Sequence, residues 1–548
     1  MGQTVKATSK TIRPNSFSLN PRPLLALSSA VLLIFSFPNF NQAWCAWLAL
    51  VPWLLALRGL IGRKAFWWSW LVGLVFFLGS MWWLVYVTVV GWIALCAYLA
   101  IYFGVFGWTV AGLNSWGRRQ ETGDRSLVSR LMSPVQLLFI PATWVALEYA
   151  RSHLLSGLGW NLLAYSQVSW TALIQCADVT GVWGVSFLLV FVNSIVAMVL
   201  AKEFRPRARA RWVFAAAVCL TAALGYGVWR IPHVMRGQMA RVAVVQGNVP
   251  QEEKWDEAHQ GDIVKRYAAL TDAALATKPD LIVWPETSVP GYLGLDEAVT
   301  QPMMALADAI KVPLLVGAPM GRLAGAAWQM TNSAILIDAE GVFNQRYDKL
   351  HMVPFGEFIP FESVAPWLRS ILPPIGNFVP GHHYTVFASP VRNSEFGIRS
   401  DHSALRTPHS ELKFSVLICF EDIFPDLARR FVQRGARMLL VITNDAWFGP
   451  TAAAYQHAQA SAFRAVELRV PVARAANTGW SGCIDPAGRW GGSVRDAQGA
   501  ELFVEGTHTC DLPLGRAQSL YLRFGDWFAW LCLFVTLSWA IRRMLSHS

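Results

Sequence analysis

The sequence predicts a multi-span α-helical membrane protein that carries one α/β domain. Of its 548 residues, 54% are hydrophobic and only 15% are charged, whereas a soluble domain has about 25% charged residues. The apolar residues gather in eight runs, most of them separated by short basic loops. One long polar segment lies before the last run, and in it short β-like runs alternate with helical stretches, which is the pattern of a sheet flanked by helices.

The eight apolar runs predict membrane-spanning helices, although several are shorter than the roughly 20 residues that cross a bilayer. The first lacks a convincing small-residue cleavage site, so we expect it to be retained rather than removed as a signal peptide. The predicted spans are residues 24–37, 43–57, 66–85, 89–113, 135–150, 182–201, 212–229 and 527–541.

The basic residues predict the orientation of these spans. The N-terminal tail and the loops on its side carry 18 Lys and Arg residues, whereas the short loops and domain flanks on the other side carry five. The positive-inside rule places the basic side in the cytoplasm. Both termini are therefore predicted to be cytoplasmic, and the polar segment lies outside.

The net charge of +11 does not indicate a nucleic-acid partner. Residues 240–512 contain 23 Lys and Arg but 29 Asp and Glu, so the polar domain is mildly acidic and lacks the basic face that nucleic acid requires. The surplus basic residues flank the apolar runs.

We predict a tail and seven helices over 1–236, an extracytoplasmic domain over 237–515, and an eighth helix with a tail over 516–548.

The polar domain contains seven predicted strands and three predicted helices. An exposed insertion is predicted at 393–412 from its Ser, Arg and His content. Cys483 and Cys510 could pair on an oxidising side of the membrane, but no spacing rule selects that pair. The strands are 242–246, 281–284, 314–317, 333–337, 414–419, 438–443 and 472–475, and the helices are 262–276, 425–434 and 453–468.

Three segments place an ionisable residue after a predicted apolar strand. They are Leu-Ile-Val-Trp-Pro-Glu at 281–286, Tyr-Asp-Lys-Leu-His-Met-Val-Pro-Phe-Gly-Glu at 347–357 and Val-Leu-Ile-Cys-Phe-Glu-Asp at 416–422. Because reactive groups gather beyond the carboxyl ends of strands in α/β sheets, Glu286, Lys349 and Cys419 are expected to converge. A thiol needs a base, and an ammonium stabilises an oxyanion. Taken alone, each residue also fits a structural role: a buried thiol, a solvated lysine or a turn carboxylate.

These segments resemble the nitrilase superfamily, and the whole chain resembles its membrane branch, the apolipoprotein N-acyltransferases. Three further segments carry the resemblance: Val-Gln-Gly-Asn-Val-Pro-Gln-Glu-Glu-Lys-Trp (245–255), Lys-Leu-His-Met-Val-Pro-Phe-Gly-Glu-Phe-Ile-Pro (349–360) and Thr-Asn-Asp-Ala-Trp-Phe-Gly (443–449). The resemblance implies a layered α-β-β-α sandwich for the polar domain. It also implies that Cys419 is the nucleophile, Glu286 the general base and Lys349 the oxyanion-stabilising group. The supporting or substrate-binding positions are Glu357, Glu421, Trp255, Phe420 and Asn332, with Asn332 near the mouth of the site and Phe420 where relatives often have Tyr.

The resemblance further implies a two-step acyl transfer without a cofactor or metal. A membrane phospholipid would acylate Cys419, and the diacylated N-terminal cysteine of an apolipoprotein would accept the chain. The protein would be a monomer in the bacterial inner membrane with its catalytic domain on the periplasmic side. Two alternatives are a membrane-tethered amidase with the same triad and a non-enzymatic scaffold or transporter. Transporters place ionisable residues within their spans, and here Glu148 is nearly alone in doing so.

The charge bias makes the orientation testable. A reporter that is active only outside the cytoplasm should be active when it is fused after Gly237 and silent when it is fused after Arg125. The opposite pattern would invert the predicted orientation and place the polar domain in the cytoplasm.

Overall fold

A computed structural model of the chain describes residues 20–120, 127–202, 206–254, 256–324, 327–359, 378–390, 411–515 and 517–545. The predicted site residue Trp255 and nearly all of the predicted insertion at 393–412 lie outside these ranges.

The N-terminal half of the described chain is helical, and α8 is buried along most of its length. In α9, by contrast, only Gly227 and Val234 are buried. Three stretches among the described residues are long and apolar enough to cross a membrane: Val89–Leu113, Val182–Leu200 and Pro206–Val234. The helices are α1 (Arg22–Phe35), α2 (Val51–Ala56), α3 (Gly62–Ser80), α4 (Val89–Gln120), α5 (Leu127–Arg151), α6 (Thr171–Ile174), α7 (Ala177–Thr180), α8 (Val182–Leu200) and α9 (Pro206–Val234).

The second predicted span is wrong as a single helix. The chain forms a short 3₁₀ turn at Ala43–Trp47 and then α2. Polar side chains of neighbouring helices accept hydrogen bonds from the backbone around this break, since Asn193 Oδ1 accepts from Leu50 N (2.9 Å) and Ser29 Oγ accepts from Trp53 N (2.7 Å). These contacts provide the acceptors that a broken helix needs away from water.

Two six-stranded sheets form the centre of the polar domain. The first has the order β12-β1-β2-β3-β4-β5 and the second β11-β10-β9-β8-β7-β6. The strands are β1 (Gln238–Gln246), β2 (Leu281–Val283), β3 (Leu314–Ala324), β4 (Ala327–Ile337), β5 (Phe343–Asp348), β6 (Phe387–Pro390), β7 (Glu411–Ile418), β8 (Met438–Thr443), β9 (Val472–Ala476), β10 (Gly482–Ile484), β11 (Trp490–Ser493) and β12 (Gly506–Leu514).

The two sheets face each other and helices cover their outer faces. Alternation along β1 shows the layers: Ala243 and Val245 pack with the outer helices, whereas Val242 and Val244 join the core that also holds Val416 of β7. Successive strand residues point to opposite faces, so both faces of β1 are buried. The remaining helices are α10 (Gln260–Leu275), α11 (Glu297–Ile310), α12 (Pro425–Gln433), α13 (Ala453–Leu468), α14 (Leu520–Phe524) and α15 (Trp527–Leu545).

All seven predicted strands are confirmed, but β5, β6, β10, β11, β12 and α11 were not predicted. Composition explains two of these omissions. β5 reads Phe-Asn-Gln-Arg-Tyr-Asp and β11 reads Trp-Gly-Gly-Ser, and both lie at sheet edges. An edge strand buries little of its side-chain surface, so it lacks the apolar alternation that identifies a strand in sequence.

One glutamine joins the sandwich to the membrane helices. Gln456 of α13 accepts hydrogen bonds through Oε1 from the indole nitrogens of Trp83 (3.1 Å) and Trp160 (2.9 Å). Its Nε2 donates to the carbonyl oxygens of Pro38 and Ser80, both at 2.9 Å. The amide therefore uses all four of its hydrogen-bonding positions on groups of the helical half.

The structure pairs Cys483 with Cys510 in a disulfide, while the other six cysteines are free. Cys483 belongs to β10 of the second sheet and Cys510 to β12 of the first sheet. The bond therefore links the two layers of the sandwich.

Replacing both cysteines by serine should destabilise the sandwich. A bond that closes a 27-residue separation is expected to contribute about 3–4 kcal/mol to folding, so the thermal midpoint of the purified double variant should fall. Maleimide labelling of the unfolded wild type should count two more thiols after reduction than before. An equal count would show that the two cysteines are unpaired.

Candidate active site

Cys419 lies at the carboxyl end of β7, where the strand turns into a 3₁₀ helix at Cys419–Ile423. Its φ angle is +54°, a left-handed conformation that is uncommon outside glycine and tends to persist at functional sites. His457 supports this turn, since its Nε2 lies 3.2 Å from the Cys419 carbonyl oxygen.

Glu286 follows β2 in the first sheet and is buried. Its Oε1 accepts a hydrogen bond from Asn332 Nδ2 (2.7 Å), and its Oε2 accepts one from the backbone N–H of Asn444 (2.9 Å). Gly317 of β3 lies against this backbone: a Cβ there would be 2.5 Å from the Pro285 carbonyl oxygen. The close approach of β3 to the Glu286 segment therefore requires glycine.

Lys349 follows β5, and its side chain is only 1% exposed. Its Nζ lies 2.9 Å from Glu357 Oε1 and 3.5 Å from Glu286 Oε1. Burial lowers the pKa of Lys349, but the Glu357 and Glu286 carboxylates outweigh burial and raise it above its usual value. The side chain is therefore a permanently charged ammonium held between two carboxylates.

Glu286 and Lys349 both affect the pKa of the Cys419 thiol. Burial raises the pKa of Cys419 above its usual value, the Glu286 carboxylate raises it further, and the Lys349 ammonium lowers it. The resting side chain is therefore a neutral thiol. It can become a nucleophile only when a base takes its proton, and Glu286 is the carboxylate with the largest effect on it.

Comparison with known proteins agrees with this geometry. Residues 29–195 match the family described as apolipoprotein N-acyltransferase N-terminal domain, and residues 241–520 match carbon-nitrogen hydrolase. An apolipoprotein N-acyltransferase of Geobacter metallireducens is 35% identical over 98% of this chain and 99% of its own length. The chain therefore belongs to the apolipoprotein N-acyltransferase family.

A second relative with the same name, from Chlorobaculum tepidum, is 30% identical over 93% of this chain and 94% of its own length. Among solved structures, a mutant of the Nesterenkonia AN1 amidase from the nitrilase superfamily is 21% identical, with a TM-score of 0.35, over 53% of this chain and 94% of that chain. The carbon-nitrogen hydrolase match over residues 241–520 shows that the polar domain of this N-acyltransferase family member has a nitrilase-like fold.

Glu421 is buried and connects the Cys419 turn with the Lys349 segment. Its Oε1 accepts hydrogen bonds from Tyr347 Oη (2.8 Å), Leu350 N (2.7 Å) and His351 N (3.0 Å), and its Oε2 accepts one from Ile418 N (2.8 Å). Burial raises the pKa of Glu421 to about 7, and the donors counter part of that rise. Because all four partners donate, the carboxylate is the form that fits these contacts.

Asn332 and Glu357 complete the surroundings of Lys349. Asn332 was expected near the mouth of the site, but it is buried, and its Nδ2 donates to both Glu286 Oε1 and Glu357 Oε1 (3.1 Å). Its amide thus bridges the two carboxylates. Glu357 is fixed at its other oxygen, since Oε2 accepts from Val353 N (2.8 Å).

Phe420 packs with other rings rather than with the charged groups. Its ring lies 5.2 Å from that of Phe424 and 6.0 Å from the imidazole of His351. The structure therefore brings Glu286, Glu357 and Asn332 together beside the Lys349 ammonium. Glu421 and Phe420 belong to the turn that begins at Cys419.

The sequence analysis predicted no role for the polar residues that pack behind the Cys419 turn. Asp422 and Asp445 flank His457, with Nε2–Oδ1 and Nδ1–Oδ1 distances of 2.9 and 3.1 Å, and Arg474 contacts Asp422 at 2.9 Å. Burial and Arg474 lower the pKa of His457, but the two carboxylates outweigh them and raise it to about 9. The signal in the sequence was the Thr-Asn-Asp-Ala-Trp-Phe-Gly segment, which includes Asp445.

Lys254 is a further omission. It is buried, and its Nζ donates to the backbone carbonyl of Glu286 at 2.9 Å. Its position within the 245–255 segment was a usable signal.

Within the described ranges, no group of three or more His, Cys, Asp or Glu side chains has the arrangement of a metal site.

The four donors to Glu421 make this residue sensitive to a minimal change. Glu421→Gln replaces one acceptor oxygen by an NH₂ group that faces N–H donors. A buried donor left unsatisfied costs about 1–3 kcal/mol, so the thermal midpoint and the rate of Cys419 alkylation by iodoacetamide should both fall.

Glu411→Gln is the matched control, because Glu411 begins the same strand and is exposed. Both measurements should stay at the wild-type value in this control. Wild-type behaviour of Glu421→Gln would show that the four hydrogen bonds do not position the Cys419 turn.

Proposed function

We propose that this chain transfers an acyl chain from a membrane phospholipid, through a thioester on Cys419, to the α-amine of the diacylglyceryl-cysteine of an apolipoprotein. The protein acts as a multi-pass monomer in the bacterial inner membrane, with the sandwich on the periplasmic side. Glu286, Lys349 and Cys419 are its catalytic residues. Membership of the N-acyltransferase family, the contact between Lys349 and Glu286 and the effect of both charges on the Cys419 thiol support this assignment.

The observation that carries the proposal is the contact between the site and the membrane helices. Asn444 donates to Glu286, and the turn Asp445–Phe448 follows directly. The ring of Phe448 lies 4.6 Å from that of Trp83, in the 3₁₀ turn that follows α3. Only three residues thus lie between a contact with the base and a contact with the apolar half, which supports a site at the edge of the bilayer.

Exposed apolar side chains near this contact favour a lipid substrate. Trp447 is 53% exposed, Tyr86 is 58% exposed and Phe355 is 53% exposed. Trp447 lies in the turn after Asn444, and Phe355 lies two residues before Glu357. Large apolar side chains left exposed beside a buried site are typical of a surface that binds an apolar partner.

The first step forms the acyl-enzyme. Glu286 takes the proton of the Cys419 thiol as the sulfur attacks the ester carbonyl of the phospholipid. The carbonyl oxygen becomes an oxyanion, which the Lys349 ammonium and the backbone N–H of Phe420 stabilise. When the C–O bond breaks, the proton on Glu286 passes to the leaving oxygen, so a lysophospholipid departs and a thioester remains.

The second step transfers the chain to nitrogen. The uncharged α-amine of the acceptor attacks the thioester carbonyl, and Glu286 accepts a proton from this nitrogen. Lys349 again stabilises the oxyanion. The C–S bond breaks, the proton returns from Glu286 to the sulfur, and an amide leaves with the thiol restored.

A labelled phospholipid tests the first step directly. Wild-type protein reconstituted with this donor alone should accumulate a hydroxylamine-sensitive label on Cys419 until an acceptor amine is added. Glu286→Gln should accumulate none, because the thiol loses its base. Lys349→Ala should be slower by about 10²–10³-fold, as for other oxyanion donors.

Cys419→Ser should carry no hydroxylamine-sensitive label, whereas Cys219→Ser, at an exposed thiol on α9, should match the wild type. Normal labelling of Glu286→Gln would remove Glu286 as the base. Release of free fatty acid in place of an amide-linked product would identify the amidase chemistry, with water as the acceptor.

A further inference from the structure

Lys254 is the second buried lysine of the site and differs from Lys349 in its surroundings. Its residue is only 2% exposed, in the segment between β1 and α10. Lys349 lies between two carboxylates, whereas the described hydrogen bond of Lys254 is the one to the carbonyl oxygen of Glu286, at 2.9 Å. Burial of an ammonium is costly, so this single contact calls for an explanation.

The peptide that Lys254 contacts is strained. It joins Glu286 to Thr287, and Thr287 has a φ angle of +45°. A left-handed conformation is unfavourable for a β-branched residue and persists only where the surroundings enforce it. Gly317 confines the same peptide from the other side, since a Cβ there would be 2.7 Å from the Thr287 nitrogen.

The base is therefore held at three points. Its Oε1 accepts from Asn332, its Oε2 from the Asn444 backbone, and its carbonyl oxygen from Lys254. The first two contacts fix the carboxylate, and the third fixes the carbonyl of the main chain from which the side chain projects. Asn444 is itself tied to the Lys254 segment, because its Nδ2 donates to Gln251 Oε1 at 2.7 Å.

We propose that Lys254 is a positioning residue of the acyl-transfer site, whose charged hydrogen bond fixes the Glu286–Thr287 peptide and thereby aims the base at Cys419. This role rests on the proposed function of Glu286 and adds a residue to it. Lys254 does not touch the substrate in this scheme and transfers no proton.

The charge of Lys254 gives the proposal a signature in pH. Burial lowers the pKa of Lys254 to about 8, although the Glu286 carboxylate and, when it is ionised, the Cys419 thiolate oppose the shift. These two residues are the ionisable groups that act on it. A charge-assisted hydrogen bond is roughly twice as strong as a neutral one, so the contact weakens as the pH rises through 8.

The test replaces Lys254 by methionine, which keeps an unbranched chain one atom shorter and removes the donor. The probe is iodoacetamide alkylation of Cys419 in the full-length protein, which needs the base but no acyl donor. We expect Lys254→Met to react about 10–100-fold more slowly at pH 7. Lys265→Met is the control, because Lys265 is exposed and pairs with Asp262, and it should react at the wild-type rate.

The pH dependence separates positioning by a charged donor from mere packing. The ratio of the wild-type rate to the Lys254→Met rate should fall between pH 7 and pH 9.5, as the wild type loses its ammonium. Lys254→Gln keeps an uncharged N–H donor, so its rate should lie between the two. A ratio that does not change with pH, or equal rates for Lys254→Met and the wild type, would overturn the proposal.

The same variants also distinguish this proposal from the proposed function. If labelled phospholipid gives no thioester in the wild type but Lys254→Met slows alkylation with the predicted pH dependence, acyl transfer fails and the positioning role stands. If the wild type forms the thioester, and Lys254→Met and Lys254→Gln both form it as fast as the wild type, only the positioning role fails.

Discussion

The carboxylate of Glu421 is the interaction on which the rest of the site depends. The base and the lysine come from the first sheet, whereas Cys419 comes from the second, and nothing in the register of either sheet aligns them. Glu421 accepts from Ile418 on one side and from Leu350 and His351 on the other. One buried side chain thus satisfies four donors, three of them backbone N–H groups, and so ties the two strand ends together.

The other buried charges of the site also lie beside groups of opposite charge. Lys349 lies between two carboxylates, Asp422 pairs with Arg474, and both Asp422 and Asp445 contact His457. Burying an unpaired charge is far more costly than burying a pair. The charged groups behind the Cys419 turn are therefore buried with partners of opposite charge and not as isolated ions.

The sequence predicted the groups that follow apolar strands and failed for those that do not. Glu286 and Cys419 end strands whose residues are nearly all buried, so strand ends and reactive residues could be located together. Lys349 was also expected to follow an apolar strand, which is wrong: β5, the strand before it, is polar, so only the resemblance to a family identified this residue. Asn332 was misplaced at the mouth, because its position depends on the register of β4 against β5, which pairs Ser333 with Asp348. Local composition holds no information about such long-range register.

The disulfide between Cys483 and Cys510 gives the sandwich a dependence on its surroundings. The two sheets are joined covalently only where thiols can be oxidised, which is the case outside the cytoplasm and not within it. A chain whose polar domain stayed on the cytoplasmic side would keep both thiols and a looser pair of sheets. The bond therefore makes the rigidity of the sandwich depend on an oxidising compartment.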